Sequence, residues 1–236
     1  MKKPFFLIIS AILFLNVLNA SAQTNEYKLK LNDFTELKVD DPINVEYYFH
    51  EDSVGYAVYQ CAPEWASRLL FTMNKKSLTI QIADSYEGLS GVPKIKVYSS
   101  CLEKVENGSD STVTIKTNRP VKTFKAKVIG NGIIDINKLE AVNTDLSILT
   151  GHGSIICSDS KSFKTKLSNI GTGTIQAGAL TSSQVKVMIN GTGNIDCSAS
   201  ESLTIYGIGS GAVYYTGTPK KITNRSIGIK VYPVKQ

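Results

Sequence analysis

The sequence predicts an all-β fold: a single-stranded parallel β-helix, or β-solenoid, with coils of ~20 residues and an irregular N-terminal cap. Three observations carry this reading. The first is a repeat: Gly130-Asn131-Gly132, Gly151-His152-Gly153, Gly171-Thr172-Gly173, Gly191-Thr192-Gly193 and the divergent Gly209-Ser210-Gly211, whose first glycines lie 21, 20, 20 and 18 residues apart by subtraction. A weaker copy, Asn107-Gly108-Ser109, stands upstream. Second, each repeat alternates with period two after its second glycine. Position +2 reads Ile134, Ile155, Ile175, Ile195, Val213 and position +4 reads Ile136, Cys157, Ala177, Cys197, Tyr215, while the position between them is mostly polar. That is the signature of a strand with +2 and +4 facing inward. Third, no stretch holds a 3.6-residue period long enough for the helix of an α-containing repeat, and the leucine-rich pattern is absent.

The repeat glycines have a structural task in this picture. A coil must bend sharply, glycine accepts positive φ without steric cost, and its missing side chain lets neighbouring coils approach. A phosphate cradle built on Gly-x-Gly needs a strand–loop–helix context, and here strands follow instead.

The chain opens with Lys2 and Lys3, an apolar run from Phe5 to Leu18, and Ala20-Ser21-Ala22, the small-x-small pattern of a signal peptide at residues 1–22. Cleavage is expected after Ala22, leaving Gln23 at the mature N-terminus. The apolar run is shorter than the roughly 20 residues a membrane span needs, and no later segment is apolar enough to span a bilayer. With no cysteine after the run until Cys61, lipid anchoring is not expected. The mature chain, residues 23–236, reads as one solenoid domain: a strand-rich part over 23–101, then Gly-x-Gly-x-Ile coils over 102–236. In the first part Leu37–Val39, Ile43–Val45, Tyr56–Val58, Leu78–Ile82 and Lys94–Val97 alternate well. Pro63–Leu70 is the one helical segment, with proline in its first turn, and is the candidate plug for the open end of the solenoid.

Removing Lys2 and Lys3 lowers the formal charge from +6 to +4. The lysines are scattered, with no basic block and no arginine–aromatic interleaving, so a nucleic acid partner is not expected. The four cysteines lack zinc spacing, and His50 and His152 are isolated, so neither metal nor cofactor is expected. An exported chain is oxidised after translocation, and Cys61 and Cys101 each follow a Val-Tyr strand; if those strands are neighbours, a Cys61–Cys101 disulfide is possible. Cys157 and Cys197 share position +4 with Ala177 between them. Two strand spacings, ~9.5 Å, exceed the roughly 7 Å a disulfide tolerates, so these two are expected to remain thiols.

The order of the motifs resembles a known family. Phe34-Thr35-Glu36-Leu37-Lys38-Val39, Ser77-Leu78-Thr79-Ile80, Lys96-Val97-Tyr98, Leu102-Glu103-Lys104-Val105, Asn107-Gly108-Ser109 and the glycine coils are similar to the head GIN domain proteins of Bacteroidota, described as auto-transporter adhesins. The resemblance implies a right-handed β-helix, export, and no enzymatic activity. No translocator barrel is expected after Val234, so both periplasm and cell surface are expected locations.

Catalysis finds little support. Asp135 and Asp196 share position +3 but sit three coils apart, roughly 14 Å, beyond the ~5–9.5 Å of glycosidic acid/base pairs. Neither histidine has an evident serine or cysteine partner, and no Gly-x-Ser-x-Gly elbow occurs. The tyrosine pairs Tyr47-Tyr48 and Tyr214-Tyr215 suit sugar stacking, but the structural role is the expected one, since a β-rich chain needs such strand residues regardless. The expected function is a secreted, non-catalytic envelope module, an adhesin or binding protein presenting a solenoid face to glycan or protein. The alternative is a degenerate carbohydrate-active β-helix enzyme acting on acidic polysaccharide, which would need a basic groove with a lysine or arginine beside an acid.

Overall fold

The computed structural model describes residues 24–83 and 90–234, so the signal segment with Ala22 and Gln23 lies outside the described residues. Strand makes up 67% of the chain and helix 3%, and the strands wind into a β-solenoid of about six turns.

The N-terminal part contains β1 (Asn25–Lys30), β2 (Glu36–Val39), β3 (Val45–Phe49), β4 (Tyr56–Cys61), α1 (Pro63–Ala66), β5 (Leu69–Asn74), β6 (Ser77–Ile82) and β7 (Ile95–Ser99). The coils follow as β8 (Lys104–Asn107), β9 (Thr112–Thr117), β10 (Val121–Val128), β11 (Ile133–Asn137), β12 (Glu140–Ile148), β13 (Ser154–Ser158) and β14 (Ser160–Gly171). The last are β15 (Thr174–Gly191), β16 (Asn194–Gly209), β17 (Ala212–Thr216), β18 (Lys221–Ile227) and β19 (Lys230–Pro233). β15 and β16 run through a corner, each supplying the end of one coil and the start of the next.

Two parallel faces result. One stacks β6, β2, β8, β10, β12, β14, the second half of β15, the second half of β16, and β18. The other stacks β7, β3, β9, β11, β13, the first half of β15, the first half of β16, β17 and β19. A short third face lies between them, around Ser160–Ser162 and Leu180–Ser182. At its far corner the inward–outward phase slips and the register skips Phe163.

The inward positions form unbroken ladders. Ile95, Val45, Val113, Ile134, Ile155, Ile175, Ile195 and Val213 are all essentially inaccessible and stacked in register on the second face. Leu78, Leu37, Val105, Ala126, Leu146, Leu167, Val187 and Ile205 do the same on the first. The core is therefore a column of branched aliphatics, and each rung buries its apolar face only because another rung lies above and below.

The corner glycines divide two tasks. Gly151, first of its pair, has φ +79°, a conformation that side chains other than glycine rarely adopt. Gly193, second of its pair, is needed for space: a Cβ there would lie 2.4 Å from the Gly173 carbonyl oxygen one coil below and 2.2 Å from Asn169 Nδ2. Asn169 is fully buried on an inward ladder and donates from Nδ2 to the Gly173 carbonyl at 2.7 Å, while Asn107 makes the matching bond to Ser111 at 2.7 Å.

The N-terminal end departs from the expected plug. The helix is a single turn, Pro63–Ala66, and Leu69 and Leu70 begin β5 instead. Antiparallel strands cap the stack: β5 covers the outer edge of β6, β4 that of β7, and β1 that of β4. A hairpin partner satisfies the edge N–H and C=O groups that one helical turn would leave open, which is why strands win here.

A candidate binding trough on the first face

The outward positions of the first face carry the feature that the linear sequence hides. In register along the stack stand Glu36, Lys104, Lys125, Asp145, Lys166, Lys186 and Thr204. Beside this column runs a second: Thr123, Asn143, Lys164, Gln184 and Ser202. Together they edge a shallow trough of about 380 Å³ floored by Thr144, Thr165 and Val185 and closed at one end by Tyr206. Lysines that are ~20 residues apart in sequence stand one strand spacing, ~4.8 Å, apart here.

The trough is positively biased. Four lysines (Lys125, Lys164, Lys166, Lys186) against one aspartate (Asp145) give 4 − 1 = +3. Asp145 Oδ2 holds Lys166 Nζ at 3.3 Å, and the neighbouring Lys104 and Lys127 pair with Glu36 at 3.2 Å and Glu106 at 2.6 Å. Among the described residues Lys125, Lys164 and Lys186 have no carboxylate partner. The Lys186 ammonium instead lies 5.0 Å over the Tyr206 ring, which screens that face. Neutral donors and acceptors, Thr123, Asn143, Gln184, Ser202 and Thr204, fill the rest of the lining. Beyond the trough Leu149, Ile170, Ile208 and Ile227 are exposed at the corner leading to the glycines, with Asn190 on the rung between Ile170 and Ile208.

The residues singled out in the sequence lie elsewhere. Asp135 and Asp196 occupy one outward column of the second face, separated by Ile156 and Gln176, hence three rungs apart. Burial raises the Asp196 carboxyl above its ordinary range. His152 is exposed at a corner, its backbone N–H donating to Asn131 Oδ1 at 3.1 Å. Tyr47 is a core residue whose hydroxyl meets Ser99 Oγ at 3.0 Å, and burial pushes its phenol well above the usual range. Tyr48 stacks on Tyr98 and Tyr214 on Tyr232, and the second pair remains exposed. No group of three or more metal-type ligands occurs among the described residues.

All four cysteines are free. The strands before Cys61 and Cys101 are indeed neighbours, β4 against β7, but they pair antiparallel, with Tyr59 opposite Ile95. Cys61 lies two residues beyond that rung in one direction and Cys101 six in the other. The separation is on the order of 20 Å, and the Cys61–Cys101 bond is excluded in this fold. Cys157 and Cys197 sit in the buried column with Ala177 paired to Cys197, and burial pushes each thiol up to about 12.

Solved structures share this architecture. A protein described as a "putative adhesin" from Bacteroides fragilis superposes with a TM-score of 0.81 at 19% identity, covering 91% of this chain and 98% of that one. A "putative adhesin" from Parabacteroides merdae gives 0.71 at 17%, and a "putative lipid binding protein" from Parabacteroides distasonis 0.68 at 18%, each with the same coverages of 91% and 98%. At these identities the likeness concerns the fold. No curated protein matches the chain. The family profile described as "putative auto-transporter adhesin, head GIN domain" matches residues 33–219, and the chain belongs to that family.

Proposed function

We propose that this protein is an exported, non-catalytic module of the cell envelope that binds glycan or protein through a face of its solenoid. The observation that carries the reading is the composition of the trough: a cationic, hydroxyl- and amide-lined surface with one carboxylate, itself tied to a lysine. Hydrolysis of a glycosidic bond requires two carboxyl groups flanking it, and Asp145 has no acidic neighbour on the adjacent rungs, where Lys125 and Lys166 stand. Within the trough, Asp145 beside Lys166 is the juxtaposition that favours the alternative, a degenerate enzyme acting on acidic polysaccharide.

Two measurements test the proposal. The protein applied to glycan and envelope-protein arrays is expected to retain a ligand, while uronate polymers incubated with it show no gain in reducing ends or in ultraviolet absorbance from unsaturated products. Turnover would replace the binding reading with the enzymatic one. Mass spectrometry of the envelope fraction is expected to find a mature chain beginning at Gln23; a chain retaining residues 1–22 would remove export by signal cleavage.

A further inference from the structure

We infer that the ligand of the first face is a linear acidic glycan, lying along the solenoid axis in the trough between Lys125 and Lys186. The inference rests on the proposal that the protein is a binding module and deepens it by naming the ligand class and the residues.

The geometry points there on three counts. The trough's +3 excess stands beside a formal +4 for residues 23–236, and its charges are gathered on four rungs of one face. Its three lysines without a carboxylate partner are not consumed by the protein's own ion pairs, so a ligand anion replaces water and not an existing partner. Finally, the repeat of the protein sets the repeat of the ligand. Lys125, Asp145, Lys166 and Lys186 advance by one strand spacing of ~4.8 Å each, nearly the advance of one pyranose ring in an extended polysaccharide. About four sugars therefore bridge Lys125 and Lys186 across three such steps. Carboxylate or sulfate groups meet the lysines, and ring hydroxyls meet Thr123, Asn143, Gln184 and Ser202.

The same lining disfavours single-stranded nucleic acid, whose bases need open aromatic faces for stacking, because the Tyr206 ring in the trough is covered by Lys186. Asp145 has a defined place in this scheme. It stands between Lys125 and Lys166 and repels an acid at that rung, so it favours polymers that present a hydroxyl there.

The test uses polygalacturonate and its oligomers with the mature protein in low-salt calorimetry. The variant K125Q/K164Q/K186Q is expected to bind at least about tenfold more weakly, since a single hydrogen bond to a charged group is worth about such a factor or more. All three side chains are on the surface, so a thermal melt should superpose on the wild type. K96Q, on the outer side of β7, is expected to leave binding unchanged. D145N is expected to tighten polygalacturonate several-fold, an effect that a merely structural aspartate would not give. Affinity should rise steeply up to about four sugars, fall with added sodium chloride, and be absent for neutral dextran.

Equal binding by the wild type and the triple variant, or by dextran and polygalacturonate, overturns the inference. Binding of phosphatidylglycerol vesicles or oligo-dT without binding of the polymer also overturns it, assigning the lysines to lipid or nucleic acid. If arrays show only a neutral glycan or a protein as ligand, this inference fails and the module reading stands. If polygalacturonate is bound and cleaved, the trough stands and the non-catalytic reading fails.

Discussion

From Val121 onward each coil pairs with the coil just before it in sequence, whereas the coils before Val121 are stacked out of sequence order. β2 lies between β6 and β8, and β3 between β7 and β9, so the first coil of the chain is the second of the stack. The partners of Leu37 are Leu78 and Val105, 41 and 68 residues away by subtraction, while those of Leu167 are Leu146 and Val187, 21 and 20 away. Yet the inward ladders run through both regions without a break. The stack is thus one packing solution reached by two kinds of chain path. The repeat region closes short loops of constant length at little entropic cost per coil, and the N-terminal region closes long ones before its contacts form.

The corners follow the same division. Consecutive coils in the repeat region approach each other's backbone closely at the Gly-x-Gly. At the β2–β3 corner the chain uses Asp40-Asp41-Pro42 instead, where Asp41 Oδ2 accepts the Ile82 N–H at 2.7 Å. One region solves the bend with absent side chains, the other with a side chain that bonds the neighbouring strand.

The largest expected effect probes what both regions share. Ile175 is wholly buried between Ile155 and Ile195, so Ile175→Asp places an unpaired charge in the column and should destabilise by several kcal/mol. Asp135→Asn, half-exposed on the outer side of its strand, should stay within ~0.5 kcal/mol. Urea melts of the two variants check this, and comparable losses would break the inward–outward assignment.

Next in size is a substitution that separates the regions. Leu37→Ala should cost about 2–5 kcal/mol, because Leu37 packs against a rung on either side and neither can close over the gap. Ile222→Ala, on the exposed final rung, should cost less than about 1 kcal/mol. Hydrogen exchange sharpens the contrast: Leu37→Ala should raise exchange in β6 and β8 together, and Ile222→Ala only in β18. If Leu37→Ala leaves β6 protected, the inserted coil is not what holds the two together.

These regions also differ in what their sequence discloses. The glycine coils were legible because each residue's partner stands at a nearly fixed offset, so aligning Ile134, Ile155, Ile175 and Ile195 amounts to reading the ladder. The insertion of β2–β3 was not, since alternation in Leu37–Val39 and Leu78–Ile80 gives faces but no partners. Pro63–Leu70 carried a helix-start signal, and tertiary pairing with β6 claimed Leu69 and Leu70 for a strand. The disulfide expectation had the right neighbours in the wrong direction, because parallel and antiparallel pairing look alike in a single strand. The trough escaped for a smaller reason. Lys125, Lys166 and Lys186 each precede the first glycine of their repeat by five residues and Asp145 by six, so lysines that read as scattered are a column once the strands before the glycines are aligned.

A third prediction tests the corner rule. Gly193→Ala should destabilise by about 1–3 kcal/mol, because the Gly173 carbonyl and Asn169 lie where the Cβ must go. Gly178→Ala, where the nearest atom is Asp196 Cβ at 3.9 Å and φ is not left-handed, should be neutral or stabilise by up to about 1 kcal/mol. Chemical denaturation of both variants decides. Equal losses would mean that the repeat glycines owe their places to something other than close approach of the coils.

The smallest effect at neutral pH concerns the Cys157–Ala177–Cys197 column. Replacing both thiols by alanine removes two sulfur atoms from a column that already holds Ala177, and should cost only about 1 kcal/mol per site at pH 7. The difference grows with pH, and its sign follows from the protonation states. Burial raises both folded-state thiols to about 12 from the ordinary 9.0. Below pH 9 both the folded and the unfolded chain hold these protons, and the contribution to stability is fully present. Between pH 9 and 12 only the unfolded chain releases them, so stability is progressively lost as pH rises. The double alanine variant lacks that loss, and its urea midpoint should therefore fall less steeply than the wild type's over this range. Parallel pH profiles would show that the thiols are not held dry in the core. The column would then be open to solvent, and the two cysteines should react with a thiol reagent as fast as the partly exposed Cys101.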